Sequence, residues 1–376
     1  MPIKICHLIT SLDTGGAERS LINLVTAMNR DQFENEVITL LKPGPMAQML
    51  AEAGISVTSM EIGRSRPNPA ALLSLIRHLR VKKPAILQTW LYHADFFGTV
   101  AAFFARPDHL LWNVRSSKID YPGIRRSTRY LARLLATLSR RPDAIVVNSR
   151  DGQRYHEHIG YRPKQWVNIP NGVDLERFRP RRDEQAMLRT RLGIPPDVSA
   201  IGLVARYHPM KDIATFLRAA SRFRQDHENV KFVLCGDGLS PDNSTLAKQV
   251  RELDLDRSIV LLGPRSDIEL IYPALDVHTL CSTHGEGFPN ALCEAMACNV
   301  PCVTTDVGDS AEIVGDCGLV VPRRDPQALA GAWHALLERP SQVGTDSVRS
   351  RVAARYSLER MCAQYESMYR SIARKH

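Results

Sequence analysis

Two acidic residues stand eight positions apart in the stretch EGFPNALCE, where Gly-Phe-Pro-Asn directly follows Glu286 and Glu294 closes the stretch. Two carboxylates can act as a general acid/base pair if both face one reacting bond. They can also bind the hydroxyl groups of a sugar, or they can be solvated side chains without a role. The elements that hold them decide between these alternatives.

The surrounding sequence predicts that the two acids lie in different elements. The run VHTLCS at 277–282 is typical of a buried strand, and Pro289 fits the first turn of a helix, where a missing N–H costs nothing. Glu286 then lies in the loop, where it could accept hydrogen bonds from a sugar, and Glu294 lies about one turn inside the helix, where it could hold a vicinal diol such as ribose. The first-turn amides would face a phosphate. This arrangement favours a sugar-nucleotide site over an acid/base pair.

Two cations follow another predicted strand. Arg206 ends the run AIGLVAR, and Lys211 comes five residues later at the start of a helix. An arginine can bind a diphosphate through two hydrogen bonds, and a lysine can bind it as a point charge. Taken alone, the pair is explained equally well as two solvated surface cations.

Several turns after other predicted strands could bring a ligand close to the backbone. Gly15 and Gly16 open a helix after the first strand, and Gly236 ends a later strand. Arg265 lies in a similar turn. His93 follows a strand of the first half, where it could touch a donor or an acceptor. Each of these positions is also compatible with a purely structural role.

The elements that must position these residues form two similar series. Short apolar runs alternate with amphipathic segments in both halves of the chain, which predicts βαβ units and a parallel sheet covered by helices on both faces. The runs lie at 3–9, 36–41, 55–60, 85–90, 110–114 and 144–149, and again at 200–206, 231–236, 258–263, 277–282, 301–305 and 318–322. We therefore expect an α/β protein with two Rossmann-like, doubly wound domains that face each other across a cleft, with ligands at the carboxyl ends of the strands.

The four motifs together resemble the retaining glycosyltransferases of family 4, which have the two-domain GT-B fold. The motifs are E-x7-E from Glu286 to Glu294, R-x4-K from Arg206 to Lys211, TGGAER near the N-terminus, and NGVD at 171–174. They occur in this order and span nearly the whole chain.

The resemblance implies a role for each candidate residue. Arg206 and Lys211 would hold the donor's diphosphate and neutralise its charge as the nucleotide leaves, and Glu286 would contact the donor sugar. Glu294 would bind the ribose, and His93 would lie near the sugar. The other donor-binding positions would be Gly15, Gly16, Gly236, Arg265, Phe288, Pro289, Asn290, Ala291 and Leu292. Neither a metal nor another cofactor is implied, since the nucleotide sugar is a co-substrate.

The resemblance also divides the chain by role. A turn-rich, charged segment at 168–185 marks the predicted boundary. Residues 1–178 would form the acceptor-binding domain and residues 179–345 the nucleotide-sugar-binding domain. Residues 346–376 would form a C-terminal helix that packs back towards the first domain.

The composition is that of an ordinary globular protein, with 44% hydrophobic and 24% charged residues. The eight cysteines include no C-x-x-C pair, which argues against a structural zinc site and fits a reducing cytosol. The N-terminus lacks the features of a signal peptide. The longest apolar run, FFGTVAAFFA at 96–105, is shorter than the roughly 20 residues of a membrane span. We therefore expect a cytoplasmic protein.

The net charge of +9 lies entirely in the first half, where 24 Lys and Arg face 15 Asp and Glu over residues 1–178. At 100° per residue, the segment 123–141 forms a helix with leucines on one side and arginines on the other. It could be a sheet-covering helix with solvated arginines, and it could also contact anionic lipid at the inner face of the cell membrane. With 6% aromatic residues and no recognised binding motif, nucleic acid is not an expected partner.

The predicted function is a metal-independent, retaining hexosyltransferase. It would move a sugar from a UDP- or GDP-sugar to a lipid-linked or glycan acceptor in surface polysaccharide biosynthesis. Two alternatives remain open at this point: a nucleotide-sugar epimerase of the same fold, and a non-catalytic lipid-binding protein that has kept the fold.

Overall fold

The computed structural model describes residues 2–13, 15–62, 68–119, 126–338 and 345–374. Contacts divide the chain into two compact units. The first unit comprises Met1–Gly172 and Leu358–His376, and the second unit comprises Val173–Ser357.

The division differs from the predicted boundary after residue 178. Val173 already belongs to the second unit because it bridges to Ser357 and because its amide donates to the Tyr356 carbonyl at 2.8 Å. The C-terminal segment also differs from the single predicted helix, since it forms two helices and only the second belongs to the first unit.

The first unit is built on a seven-stranded parallel sheet. Its strands are β1 (Ile3–Ile9), β2 (Phe33–Thr39), β3 (Ser56–Ser59), β4 (Ile86–Trp90), β5 (His109–Val114), β6 (Ala144–Val147) and β7 (Trp166–Asn168). Their order in the sheet is β3-β2-β1-β4-β5-β6-β7, so the direction of winding reverses between β1 and β4. The six predicted strands of this half are present, and the short strand β7 was missed because its three residues form no extended apolar run.

The second unit is built on a six-stranded parallel sheet. Its strands are β8 (Ser199–Val204), β9 (Val230–Cys235), β10 (Ile259–Gly263), β11 (Val277–Leu280), β12 (Cys302–Thr305) and β13 (Gly318–Val321). Their order is β10-β9-β8-β11-β12-β13, so the winding reverses between β8 and β11. The prediction of two Rossmann-like sheets is confirmed.

Helices connect the strands as in other doubly wound folds. They are α1 (Gly16–Ala27), α2 (Ala47–Glu52), α3 (Pro69–Lys82), α4 (Leu91–Ala105), α5 (Arg126–Leu138), α6 (Arg150–His158), α7 (Gln185–Arg191), α8 (Ile213–Asp226), α9 (Ser244–Glu252), α10 (Asn290–Ala297), α11 (Ser310–Val314), α12 (Pro326–Glu338), α13 (Thr345–Tyr356) and α14 (Leu358–Ala373).

The two faces of the first sheet carry separate apolar cores. On one face, α1 and α14 contribute fully buried side chains such as Leu21, Tyr365 and Tyr369. On the other face, α3, α4 and α5 contribute Leu75, Ala101 and Leu135. The central strands β4 and β5 are buried along their whole length, as expected of parallel strands covered on both faces.

The basic segment 123–141 is described from Arg126 onward, and its residues 123–125 lie outside the described residues. Helix α5 buries Ala132 and Leu135 against the sheet, while Arg126 and Arg133 are exposed as predicted. Leu134 was expected to enter the core, but its side chain is 47% exposed because the buried stripe of α5 is narrower than the leucine arc.

Within the described part of the chain, no helix combines the length and the apolar character that crossing a membrane requires. The apolar run at 96–105 lies inside α4.

Candidate active site

The predicted site residues of the second unit lie at the carboxyl edge of its sheet. Strands β8 and β11 are neighbours at the point where the winding reverses, and such points are where open α/β sheets bind ligands. Lys211, after β8, and Glu286, after β11, meet there with 2.5 Å between Nζ and Oε1. Their side chains are only 14% and 9% exposed. The fold therefore joins two motifs that are 75 residues apart in sequence.

Glu286 is held by its own loop and by the loop after β12. Ser282 donates a hydrogen bond from Oγ to Glu286 Oε1 at 2.6 Å. A Cβ atom on Gly308 would lie 2.4 Å from the Glu286 carbonyl oxygen, and the Asp309 amide donates to the Gly287 carbonyl at 3.0 Å. Because Gly308 also has a φ of 63°, the close contact between the two loops requires glycine at this position.

Positive charge gathers around Lys211. Arg206 is exposed and makes no hydrogen bond or ion pair with any described residue. Partial burial lowers the pKa of His208, and the charges of Arg206, His284 and Lys211 lower it further. The Nδ1 atom of His208 accepts a hydrogen bond from the Met210 amide at 3.2 Å, which is compatible with a neutral ring. The cluster is suited to bind an anion.

Glu294 lies in α10, apart from Glu286. Its Oε2 atom accepts a hydrogen bond from the buried Tyr272 hydroxyl at 2.8 Å, whereas Glu286 is bound to Lys211 and Ser282. The two carboxylates thus share none of these partners, as expected of residues with separate roles.

Helix α10 begins one residue later than predicted. Pro289 is its N-cap, with φ −75° and ψ 104°, and Asn290 is the first helical residue. The side chains of Phe288 and Leu292 are buried, and the Phe288 ring packs edge-on against Tyr356 with centroids 5.2 Å apart. Phe288 and Leu292 can therefore face a ligand only through their main chain.

The first turn of α10 supplies amide groups that lack intrahelical acceptors. The Leu292 amide already donates to the Pro289 carbonyl at 3.2 Å. Among the earlier residues of the turn, Ala291 presents the amide that the helix geometry offers to an anion.

Two further candidates lie after β9 and β10. A Cβ atom on Gly236 would lie 1.9 Å from the Ala205 carbonyl oxygen, and its φ is 142°, so this glycine is required by the packing of the loop on the end of β8. Arg265 forms a two-pronged ion pair with Asp267, at 2.8 and 2.6 Å. This hydrogen bonding raises the pKa of Arg265 and lowers the pKa of Asp267. Arg265 is therefore already paired within its own loop and is less available to a ligand than an unpaired arginine would be.

The candidates of the first unit also follow strands at a winding reversal. Gly15 and Gly16 follow β1, and His93 lies in the first turn of α4, directly after β4. A Cβ atom on Gly15 would lie 2.3 Å from a Glu18 carboxylate oxygen, so this carboxylate lies close to the start of α1. The His93 side chain is exposed, and partial burial lowers its pKa.

Leu91 turns the chain from β4 directly into α4 with a φ of 72°. A left-handed conformation at a residue other than glycine costs on the order of 1–2 kcal/mol and concentrates at functional sites. Leu91 places His93 at the sheet edge, and no glycine in the sequence signals the turn.

A polar cluster at the same edge of the first unit was missed. Arg115, after β5, donates to Asn171 Oδ1 and, at 2.8 Å, to the Tyr365 hydroxyl. Asn148, after β6, donates to the same Asn171 oxygen at 3.3 Å, and the Arg115 guanidinium lies 4.6 Å from the centre of the Trp90 ring. The cluster explains part of the NGVD motif, but a lone arginine after a strand carries no sequence signal of its own.

Ser282, His208 and Tyr272 were also missed as site residues. Ser282 ends the run VHTLCS, and His208 lies between Arg206 and Lys211, so a polar residue at a strand end was the available signal. Nothing in the sequence connects Tyr272 with Glu294.

The amino-terminal edge of the second sheet, opposite the carboxyl edge where the candidate site lies, carries none of the candidate site residues. The triplet Asp-Leu-Asp at 254–256 precedes β10, and Asp254 pairs with Arg224 at 2.5 Å. A cavity of about 630 Å³ around Ser199 and Asp276 lies at this edge too. In the described ranges of the chain, no group of three His, Cys, Asp or Glu side chains is placed to hold a metal ion.

Comparison with known proteins gives matches in both units. Residues 14–177 match the family model described as Glycosyltransferase Family 4, and residues 198–339 match the model described as Glycosyl transferases group 1. The capsular polysaccharide biosynthesis glycosyltransferase CapM of Staphylococcus aureus is 25% identical over 99% of this chain and 98% of its own length.

A second relative is the Escherichia coli UDP-Gal:alpha-D-GlcNAc-diphosphoundecaprenol alpha-1,3-galactosyltransferase, which is 25% identical over 81% of this chain and 80% of its own. Among solved structures, Anabaena HepE in complex with UDP has a TM-score of 0.86 at 23% identity, covering 98% of this chain and all of HepE. The structural likeness confirms the GT-B fold. The two matches, one in each unit, identify the chain as a glycosyltransferase in which a Glycosyltransferase Family 4 domain is followed by a Glycosyl transferases group 1 domain.

Proposed function

We propose that this glycosyltransferase moves a sugar, with retention of its anomeric configuration, from a UDP- or GDP-sugar to a lipid-linked or glycan acceptor in surface polysaccharide biosynthesis. The buried contact between Lys211 and Glu286 at the winding reversal of the second sheet carries the proposal. The contact supports the proposal because it sets a lysine, which could bind a phosphate, beside a carboxylate, which could bind sugar hydroxyls, as a nucleotide sugar would require.

The second unit would bind the donor. Arg206 and Lys211 bind the diphosphate, and the first-turn amides of α10 add main-chain donors. The positive charge around His208 stabilises the negative charge that develops on the leaving nucleotide. Fixed dipoles and cations act most strongly on charge that develops in the transition state. These cations would neutralise the diphosphate, a role that a metal ion has in other transferases, so we propose a metal-independent reaction.

Glu286 and Glu294 would bind different parts of the donor. Glu286 accepts hydrogen bonds from the hydroxyls of the transferred sugar, and Ser282 keeps it in place. Glu294, oriented by Tyr272, accepts hydrogen bonds from the ribose. The protein positions the donor and stabilises charge, and the leaving phosphate takes the proton of the acceptor.

The first unit would bind the acceptor. His93 lies at its winding reversal, where a ligand of an open sheet is expected, and Gly15 and Gly16 at the same reversal keep their predicted role as donor-binding positions. The basic surface of α5 would hold the protein at the inner face of the cell membrane, within reach of a lipid-linked acceptor. The names of the E. coli relative and of CapM support an acceptor of this class and a polysaccharide pathway. HepE is also known in complex with UDP-glucose, which supports a UDP-sugar donor.

The test is to incubate the protein with a panel of UDP- and GDP-sugars and to measure free nucleotide with and without undecaprenyl-diphosphate-linked N-acetylglucosamine. Nucleotide release that depends on the acceptor, with an α-linked product from an α-linked donor by NMR, is the expected result. A product of inverted configuration would contradict the retaining mechanism, and the absence of release with every donor would contradict the transferase. No observation on the described residues favours an epimerase or a non-catalytic lipid-binding protein.

A further inference from the structure

Exposed apolar side chains gather on one face of the first unit, where the proposed reaction has no use for them. Nine large apolar side chains are exposed among the described residues. Six of them lie on α3, α4 and α5, three helices that contact one another in this order over one face of the sheet. These six are Leu73, Val81, Phe103, Phe104, Tyr130 and Leu134, and they define the α3–α5 face.

The most apolar part of the α3–α5 face is the C-terminal end of α4. Phe103 and Phe104 are adjacent and 71% and 50% exposed, and their rings stand edge to face with centroids 5.2 Å apart. They close the run FFGTVAAFFA, which is too short to span a membrane. Arg80 of α3 donates to the Phe104 carbonyl at 3.1 Å, which brings the exposed Val81 to the same end. Apolar clusters of this kind on a soluble surface mark a contact with another partner.

The charge of the same three helices shows what kind of partner fits. Their single acidic residue, Asp95, is completely buried, so the three helices present no exposed carboxylate. Their exposed cations are Arg77, Arg80, Lys82, Arg126 and Arg133. Apolar side chains surrounded by cations match a surface with phosphate groups above hydrocarbon. A second copy of this chain would place cations against cations, which like-charge repulsion disfavours.

We propose that the α3–α5 face docks on an anionic lipid bilayer, with Phe103 and Phe104 inserted among the acyl chains and the arginines at the lipid phosphates. The proposal rests on the proposed function for its purpose, since it would bring the enzyme to a lipid-linked acceptor. It adds an apolar anchor on α4 to the basic surface of α5. The docking itself involves none of the residues that would bind the donor.

The experiment is co-sedimentation of the full-length protein with vesicles of phosphatidylcholine alone and of phosphatidylcholine mixed with phosphatidylglycerol. We expect binding to the mixed vesicles. The double variant Phe103→Ser/Phe104→Ser should bind them at least about tenfold more weakly, because two exposed phenylalanines no longer leave water on docking. The variant Arg126→Gln/Arg133→Gln should bind more weakly at low salt and lose much of its salt dependence.

Matched controls come from exposed apolar residues of the second unit. Met187→Ser and Val320→Ser remove similar side chains that lie outside the face and should bind vesicles as the unchanged protein does. Phe103→Trp provides a direct readout, because a tryptophan inserted at this position should be quenched by lipids brominated along the acyl chain. All variants change exposed positions, so circular dichroism should confirm that they are folded.

Two results would overturn the proposal directly: equal vesicle binding by the Phe103→Ser/Phe104→Ser variant and the unchanged protein, and no quenching of Phe103→Trp. A third would be a dimer that light scattering detects for the unchanged protein and that the Phe103→Ser/Phe104→Ser variant loses while its vesicle binding stays unchanged. The last would assign the face to a second copy of the chain. Release of UDP or GDP from nucleotide sugars is measured separately on the same variants. Its failure would count against the proposed function without touching the lipid contact.

Discussion

The ion pair of Lys211 with Glu286 would have a definite place in the proposed reaction. A buried cation that lost its carboxylate would be destabilising, so the two side chains hold each other until a diphosphate competes for Lys211. If Lys211 turns to the phosphate as proposed, Glu286 would retain Ser282 and become available to the sugar. Donor binding would then exchange one charge pair for two contacts with the ligand.

Glu286→Gln should lower the rate of sugar transfer on the order of 100-fold, because an amide cannot hold Lys211 and binds sugar hydroxyls more weakly than a carboxylate. The measurement is kcat/KM with a saturating acceptor. Glu338→Gln, at an exposed acid of α12, is the matched control and should leave the rate unchanged. Full activity of the Glu286 variant would remove this residue from the site.

Tyr272→Phe should weaken UDP binding about tenfold, because Glu294 loses the hydrogen bond that orients it. Titration calorimetry with UDP measures the change. Tyr161→Phe removes a buried hydroxyl that has no hydrogen-bond partner among the described residues, so it should be neutral or slightly stabilising. Equal UDP affinity in the two folded variants would contradict the role of Tyr272.

His208 predicts a pH dependence of donor binding. Burial and then the neighbouring cations lower its pKa, so the ring is neutral in the free protein at pH 7. A bound diphosphate reverses the local charge and raises the pKa, so binding takes up a fraction of a proton and strengthens as the pH falls from about 8 to about 6. Calorimetry in buffers of different ionisation enthalpy measures the uptake. His208→Gln should abolish it, while His227→Gln should keep it, and proton release on binding would refute the assignment.

At the scale of elements, the sequence predicted the strands well and the contacts between them poorly. Continuous apolar runs mark buried parallel strands, and turn residues mark their ends. The run of three residues in β7 lacks this signal. The predicted start of α10 was wrong by one residue, because proline is accepted both at the N-cap and in the first turn of a helix. The meeting of Lys211 with Glu286 depends on which strands are neighbours, and that order is a property of the sheet.

Helix α14 should be essential to the first unit. Its buried face includes Tyr365 and Tyr369, which are completely buried in the core beside α1, and the Tyr369 hydroxyl donates to Gln88 in β4. Tyr369→Ala should lower the free energy of unfolding by about 3–5 kcal/mol. Ser371→Ala, at an exposed position of the same helix, is the control. Hydrogen exchange should localise the loss of protection to residues 1–172 and 358–374, and an unchanged stability would contradict the packing of α14.

At the scale of the whole molecule, three buried histidines should set the acid limit of stability. Burial lowers the pKa of His7 and His156 to about 4 and that of His278 to about 3, against an ordinary value of 6.5. Between pH 6.5 and about 4 the unfolded chain binds these protons and the folded chain does not, so stability falls as the pH falls.

Asp95 acts in the opposite direction, because burial raises its pKa. The three histidines account for up to about three protons, each worth about 1.4 kcal/mol per pH unit, and Asp95 reduces this slope. Denaturant titrations at pH 7, 6 and 5 measure the slope. A free energy of unfolding that stays constant over this range would contradict the neutral state of the three histidines.

The sequence also predicted the two-sheet architecture and the positions of most candidate residues at strand ends. It could not predict which of these residues are held by partners within the protein. Arg265 is paired with Asp267, and Arg115 is enclosed by Trp90, Asn171 and Tyr365. Such contacts depend on side-chain geometry across loops, and no local pattern encodes them.

The division of the first unit into residues 1–172 and 358–376 has a consequence for how the chain is made. On the ribosome, domains usually fold as they emerge, with the N-terminal one first. Here the first sheet cannot bury its α1 side until α14 has been synthesised. The second unit can therefore fold completely while the apolar surface beside α1 is still exposed. Nascent chains stalled before residue 358 should expose that apolar surface, and we expect them to be the species that needs a chaperone.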